Sequence, residues 1–231
     1  MDRRAFARLC LLGAAAFRPE GSAWAQPRPS ASLIRYNRAL LTTSTGEPLR
    51  SGGLDREEEY LFFYPFVSTP CLLLDLGQPL LPVHVPMKGQ GVGYDWGGGV
   101  GPKRSIVAFT AICPHEWSHP DRSLSPIHYY RAGERAKMVA DRDRLIVCCV
   151  HASAFDPAAG GRLEQGPAEL PLAVITMEWD RTTDQLFASG VLGANSFERF
   201  FRGFKGKSRA LVGAHTPVMR LQEYSAVVVR C

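Results

Sequence analysis

The chain has 231 residues, 45% of them hydrophobic, and a formal net charge of +5. Because this length and composition allow a substantial buried core, they argue against a disordered protein. No basic stripe interleaved with aromatic residues is present, which argues against a nucleic-acid-binding protein. The length suits one large domain or about one and a half average domains.

The first 25 residues have the features of an export signal. Arg3 and Arg4 precede an apolar run over residues 10–17, and Ala23-Trp24-Ala25 offers a small-x-small cleavage site. This segment resembles a Tat signal, which implies export to the periplasm after folding. The apolar run has about half of the ~20 residues that a bilayer-spanning helix needs. An uncleaved membrane anchor remains the alternative, and only then is membrane contact expected.

Residues 26–58 are rich in Pro, Ser, Thr, Gly and Arg, and we expect a flexible N-terminal segment there. Residues 59–231 are expected to form a single domain. Within it, short aromatic and aliphatic runs bounded by Pro or Gly predict antiparallel strands. These runs are 60–67, 71–76, 80–85, 105–112, 145–147, 171–179, 185–189 and 225–229, and the two before the last should form a hairpin.

Three further segments complete the prediction for this domain. The glycine-rich stretch 87–103 is predicted to be a loop, and it lacks a nucleotide-binding G-x-G-x-x-G motif between a strand and a helix. Residues 116–144 carry many charged side chains and should form an exposed excursion, with His119 and His128 facing solvent. Asn195 and Ser196 can cap one short helix over 197–204, whose four phenylalanines share a face that should pack on the sheet.

The strongest chemical signal is a split pair of cysteine and histidine residues. Cys113 stands two residues before His115, and, after 32 intervening residues, Cys148 stands three residues before His151. This is the ligand spacing of a Rieske [2Fe–2S] centre, in which two thiolates bind one iron and two imidazoles bind the other. A tetrahedral zinc site on the same four residues is the alternative, although zinc fingers usually pair Cys with Cys and His with His.

Residues 105–179 resemble the Rieske domain of cytochrome bc complexes and of arsenite oxidase small subunits. As in that family, the second pair is followed by Ser153, Phe155 and Asp156 and then by Gly166-Pro167-Ala168. The resemblance implies an all-β fold, with an antiparallel β-sandwich base, an inserted cluster-binding subdomain at about 105–170 and one short C-terminal helix.

The resemblance also assigns roles to individual residues. Cys113 and Cys148 would hold the buried iron of one [2Fe–2S] cluster, and His115 and His151 would hold the solvent-facing iron. The Ser153 hydroxyl would donate to a bridging sulfide, which raises the potential of the cluster.

The chain departs from quinol-oxidising members of the family at three places. Ser118 and Val150 replace two cysteines that form a disulfide between the ligand loops there, so packing is expected to hold the loops together. Phe155 stands where those members have a tyrosine that donates to a ligand thiolate, and arsenite oxidase small subunits also have a phenylalanine there. The loss of this donor implies a reduction potential below the top of the Rieske range. Glu116 replaces an apolar residue at the cluster tip, which favours a polar protein partner over a quinone pocket.

Three further cysteines, Cys71, Cys149 and Cys231, would remain in the exported chain. In an oxidising compartment they allow at most one disulfide and leave one thiol. Cys71 with Cys231 is conceivable, but sequence does not supply the Cα separation that decides it.

These features predict an exported one-electron carrier, and they favour a non-catalytic subunit over an enzyme. Its partners would be redox proteins, namely an oxidoreductase large subunit or a cytochrome. A Rieske subunit of a quinol-oxidising cytochrome bc complex and a structural zinc module are the alternatives. A Rieske oxygenase is disfavoured because its mononuclear iron needs two histidines and a carboxylate, and only His215 follows the cluster region.

Overall fold

The computed structural model describes residues 31–87, 92–139, 142–193 and 197–231. The predicted export signal and the predicted helix cap at Asn195 and Ser196 lie outside these residues. The described chain is all-β apart from two single turns of 3₁₀ helix and two short helices, α1 (Phe197–Gly203) and α2 (Leu221–Tyr224). No described helix is long and apolar enough to cross a membrane.

Sixteen strands run through the described residues. In chain order they are β1 (Ile34–Thr42), β2 (Tyr60–Phe63), β3 (Pro70–Asp75), β4 (Val83–Met87), β5 (Val92–Trp96), β6 (Ile106–Thr110), β7 (Leu124–Ser125), β8 (Ile127–Tyr129), β9 (Ile146–Cys148), β10 (Ser153–Asp156), β11 (Arg162–Gln165), β12 (Val174–Asp180), β13 (Gln185–Leu192), β14 (His215–Pro217), β15 (Met219–Arg220) and β16 (Val227–Val228). Eight form a main sheet in the order β14-β1-β13-β12-β6-β3-β2-β15. Four form a second sheet in the order β11-β10-β9-β8, while β4 pairs with β5 and β16 with β7.

The predicted all-β, largely antiparallel fold is confirmed. The hairpin of β12 and β13 pairs antiparallel from Val174 opposite Leu192 to Asp180 opposite Gln185. In its turn, the Asp180 carboxylate accepts the backbone N–H group of Thr182. Only β1 with β14 and β7 with β16 pair in parallel among the described strands.

The main sheet buries both of its faces, because successive residues of its central strands are apolar and point to opposite sides. On β3, Leu72 and Leu74 pack towards the second sheet, whereas Leu73 packs in the layer on the other face. That other layer includes Phe200 and Phe201 of α1. The predicted packing of the phenylalanine face is therefore confirmed, and α2 is a second helix that was not expected.

The second sheet is an insertion between two neighbouring strands of the main sheet. β6 and β12 pair with each other through Phe109 and Val174, and the chain between them supplies β7 to β11. Cys113 follows the end of β6, and Cys148 is the last residue of β9. The motif of Cys113 and His115 therefore follows a strand of the main sheet, and the motif of Cys148 and His151 begins at the end of a strand of the second sheet. The domain bounds at 59–231 and 105–170 stay predictions.

The expected flexible segment 26–58 is wrong for its described part. β1 lies inside the main sheet between β13 and β14, with Ala39 and Leu41 fully buried. The strand was missed because cationic residues interrupt its apolar pattern. One of them, Arg38, keeps its charge at the surface by lying over the Phe187 ring, 3.3 Å from the ring centroid.

The glycine-rich stretch 87–103 is not simply a loop. Its described part contains β5, which pairs with β4 and buries Tyr94 and Trp96 in the core. Glycine weakens a strand signal in sequence, yet here it is required, because a Cβ on Gly93 would lie 2.4 Å from the His84 ring.

The expected exposed excursion at 116–144 is also partly wrong, because β8 joins the second sheet beside β9. His128, Tyr129 and Tyr130 are buried there. Charged residues of this segment are paired with the base of the molecule, as in the ion pair of Arg131 with Glu58 at 2.7 Å. Charges that the sequence alone suggested were free in solvent therefore form ion pairs with other parts of the chain.

Candidate metal centre

Cys113 and Cys148 form a buried pair of thiols beneath the surface of the second sheet. Their residues are 2% and 1% exposed, and their side chains hydrogen-bond to each other without forming a disulfide. The bond from Cys113 lowers the pKa of the Cys148 thiol to about 7, while that same bond and burial raise the pKa of the Cys113 thiol. The hydrogen bond thus favours the thiolate of Cys148 and the thiol of Cys113, and each would have to be deprotonated to bind a metal.

A tight turn shapes the first loop after β6. The Cys113 N–H donates to the Ser118 carbonyl at 2.9 Å, and the Trp117 N–H donates to the Cys113 carbonyl at 2.9 Å. Trp117 has a φ of 61°, which bulky residues rarely adopt. These bonds fold the chain so that His115 projects towards the loop after β9, which carries His151. We call the loops after β6 and β9 the first and second ligand loops.

His115 and His151 face each other on the solvent side of the thiols. Their Nδ1 atoms are 3.3 Å apart, and the rings are nearly perpendicular at 86°. Two nitrogen ligands at about 2.0–2.1 Å from one tetrahedral ion lie about 3.3–3.4 Å apart. The spacing therefore fits two imidazoles that bind one ion through Nδ1. His115 is half-buried and His151 is exposed, so this pair is the accessible end of the site.

The thiol pair and the imidazole pair are separate. Among the described residues, only one group of three or more potential ligands has its ligand atoms within 4.8 Å of one another. That group is His115, Glu116 and His151. Four ligands at 2.0–2.3 Å from a single tetrahedral zinc would all lie within about 4 Å of each other. The arrangement therefore fits two ions, one at each pair, better than one ion shared by all four residues.

Ser153 connects the thiols to the loop that follows β11. It lies on β10 directly opposite Cys148, is fully buried, and donates its hydroxyl to the Cys113 sulfur. The same oxygen accepts the backbone N–H of Ala168 at 3.3 Å. Gly166 permits this approach, because it has a φ of +101° and a Cβ there would lie 2.5 Å from the Ser153 Cα.

Ser118 is a residue of this site that the sequence interpretation treated only as a missing cysteine. Its hydroxyl hydrogen-bonds to the Cys148 sulfur, as do the backbone N–H groups of Val150 and His151. The side chain thus links the first loop to the second. A Ser beside a Cys-His motif gives little signal in sequence, because only the fold shows which sulfur it reaches.

Cys149 and Cys231 form a disulfide, with Cα atoms 5.5 Å apart. This excludes the conceivable pairing of Cys71 with Cys231. The bridge ties the second ligand loop to the C-terminal residue and not to the first ligand loop, so the expectation that packing holds the two loops together stays a prediction. Cys71 is fully buried in the opposite layer, where its thiol donates to the Tyr64 carbonyl at 3.1 Å.

Two further titratable side chains belong to the first ligand loop. The exposed Glu116 carboxylate lies 3.7 Å from Nε2 of His151. His119 does not face solvent as expected, since its Nδ1 donates to the Trp117 carbonyl at 2.8 Å and its ring packs edge-on against Phe200 and Phe204 of the α1 region. Burial lowers the pKa of His119.

No protein-family model matches the chain. Among solved structures, the chain is similar to the soluble domain of the Rieske protein II (soxF) from Sulfolobus acidocaldarius. The identity is 24% and the TM-score 0.46, over 68% of this chain and 78% of that chain.

Proposed function

We propose that this chain is an electron-transfer protein that holds one Rieske-type [2Fe–2S] cluster. The observation that supports it best is the arrangement of two separate ligand pairs, with buried thiols on one side and Nδ1 atoms 3.3 Å apart on the other. Cys113 and Cys148 would hold the inner iron, and His115 and His151 the outer one. Such a cluster accepts and donates one electron.

The surrounding residues suit that task. Burial of the thiols keeps water from the inner side, whereas the exposed edge of His151 lets a partner approach closely. The hydroxyls of Ser118 and Ser153 point at sulfur and would stabilise the more negative, reduced state. Phe155 is fully buried in the same core cluster as the two thiols and offers no such donor.

We further propose that the protein is exported and serves a periplasmic oxidoreductase, in the manner of arsenite oxidase small subunits. The twin arginines of the N-terminal segment and the Ser153 and Phe155 pair support this assignment. A disulfide such as that of Cys149 persists in oxidising compartments. Glu116 speaks against docking into the quinone pocket of a cytochrome bc complex, because burying its carboxylate without a partner would cost several kcal/mol.

Metal analysis of the purified, full-length protein tests this function. We expect two irons and two acid-labile sulfides per chain and reversible uptake of one electron. Cys149→Ser should keep the iron, whereas Cys148→Ser should lose it, although the two residues are neighbours. One zinc per chain in a colourless protein would instead support the structural zinc module.

A further inference from the structure

Four cations follow one another along α1 and the turn after it. Arg199, Arg202 and Lys205 are exposed and Lys207 is half-buried, and we call these four residues the basic patch. None of the four forms an ion pair with a described residue. Glu198, the carboxylate within the same segment, is held by Arg209, whose Nη1 lies 3.3 Å from both carboxylate oxygens. The charge of the basic patch is therefore not neutralised by its own segment.

The basic patch lies beside the candidate metal centre. The rings of Phe200 and Phe204 are 5.0 and 4.7 Å from the ring of His119, which belongs to the first ligand loop. A Cβ on Gly203 would be 3.9 Å from the side chain of Trp117, two residues after His115. The helix therefore packs directly on the loop that presents one of the two imidazoles.

The carboxylates near this surface are fewer than the cations. Glu116 lies at the imidazole edge, 3.7 Å from Nε2 of His151. Asp121 accepts hydrogen bonds from the Ser123 hydroxyl and the Leu124 N–H, which hold it in its own turn. Exposed charges act on each other over about 10 Å at ordinary salt, so the four unpaired cations make a region of positive potential next to the first ligand loop.

We propose that the basic patch is a docking surface for the acidic face of a protein electron-transfer partner, which it brings against the exposed edge of His115 and His151. This inference rests on the proposed function. Charge complementarity of this kind acts mainly on the rate of encounter and on orientation.

An anionic membrane and a nucleic acid fit the surface less well. The apolar side of α1 is already used, since Phe197, Phe200 and Phe201 are buried in the core. An interfacial membrane helix needs such a side free for the lipid. The patch also lacks the exposed aromatic rings on which nucleic-acid bases stack.

Charge reversal at two sites separates docking from net charge. Arg202→Glu with Lys205→Glu changes the basic patch, whereas Lys103→Glu with Arg181→Glu changes the net charge equally at the other end of the main sheet. Lys103 precedes β6 and Arg181 lies in the β12–β13 turn, while Cys113 follows the opposite end of β6. Both control residues are exposed.

An acidic plastocyanin serves as the probe partner. With both proteins reduced, so that no electron passes, titration calorimetry at low ionic strength should show binding to the wild type that weakens with added salt. The patch variant should bind about tenfold more weakly, and the control variant should bind like the wild type. In stopped-flow experiments with oxidised plastocyanin, the reduced wild type and the control variant should be oxidised at similar rates, and the patch variant should be oxidised more slowly.

The outcomes distinguish this inference from the function on which it rests. A wild type without a cluster would overturn both. An intact cluster with equal plastocyanin binding in the patch variant, or with equal losses in both variants, would overturn the docking surface alone. Patch-dependent binding to vesicles containing phosphatidylglycerol, without patch-dependent binding of plastocyanin, would overturn the protein partner in favour of a membrane.

Discussion

Cys149 is bonded through its sulfur to Cys231, so the C-terminal segment is covalently tied to the residue that follows Cys148, a proposed ligand. Backbone contacts support the same connection, since the Cys231 N–H donates to the Tyr130 hydroxyl at 2.8 Å. The second ligand loop is thus fixed to the C-terminal residue of the chain. We call this disulfide the tether.

Removing the tether should destabilise the protein without removing a ligand. The disulfide closes a loop of 82 residues, and a bridge of this kind typically contributes about 2–4 kcal/mol. Cys149→Ser, Cys231→Ser and the double variant should therefore lower the free energy of unfolding in urea by the same amount. A double variant that loses twice as much as either single one would show that the two residues act independently.

Ser153→Ala should lower the midpoint potential. The substitution removes a donor to the Cys113 sulfur, and a hydrogen bond to a charged group, about 1.5–3 kcal/mol, corresponds to a shift of about 60–130 mV in a one-electron couple. Ser125→Ala is the matched control, because that buried hydroxyl donates to the Ile127 carbonyl instead. Voltammetry that finds equal potentials in Ser153→Ala and the wild type would contradict this role.

Glu59 should make stability depend on pH. Burial raises the pKa of this carboxyl from 4.5 to about 8, and His128, 3.9 Å away, has its pKa lowered by burial to about 4. Between those two values for Glu59, the folded chain holds a proton that the unfolded chain releases. His128 acts in the opposite direction between about pH 4 and 6.5, because the unfolded chain holds a proton there that the folded chain lacks. The free energy of unfolding should therefore fall mainly as the pH rises from about 6.5 to about 8.

Glu59→Gln should abolish that alkaline loss. The amide oxygen can still accept the Tyr129 N–H, and the gain at alkaline pH should reach up to about 5 kcal/mol. Val147→Ala is the control, since it lies opposite His128 in the sheet and removes no titratable group. Urea unfolding across this pH range should show a flatter profile for Glu59→Gln only, and parallel profiles for all three proteins would refute the prediction.

Export should depend on the two adjacent arginines. Replacing Arg3 and Arg4 by lysine should leave the protein in the cytoplasm, whereas replacing Arg8 and Arg18 by lysine should not. N-terminal sequencing of the exported protein should begin at Gln26. Intact chains that begin at Met1 and are recovered in the membrane fraction would support the uncleaved anchor instead.

Local features of the molecule were predictable from the sequence. The β12–β13 hairpin joins two clear strand patterns by a short turn, so its pairing needs no distant partner. The ligand spacing is equally local, because Cys113 and His115 share one loop and Cys148 and His151 share another. The structure brings the two thiols together and, separately, the two imidazoles, and the role of all four as ligands stays a prediction.

Features that depend on distant partners were not predictable. Arg144 looked like a solvated charge until the fold placed it 2.9 Å from Glu57. The pairing of the cysteines could not be predicted for the same reason. Cys149 and Cys231 are 82 residues apart, and the segment before Cys231 is brought near by the pairing of β16 with β7. Sequence pattern reports which side of a strand is apolar, but it does not report which strand lies next to it.

Pulsed electron paramagnetic resonance on the reduced protein tests the proposed cluster most directly. We expect a Rieske-type spectrum with two nitrogens bound to iron, whose couplings change when histidine is labelled with ¹⁵N. The spectrum should persist in Cys149→Ser and vanish in Cys148→Ser and in His151→Ala. A spectrum without bound nitrogen, or one that survives Cys148→Ser and is lost in Cys149→Ser, would contradict the assignment of the four ligands.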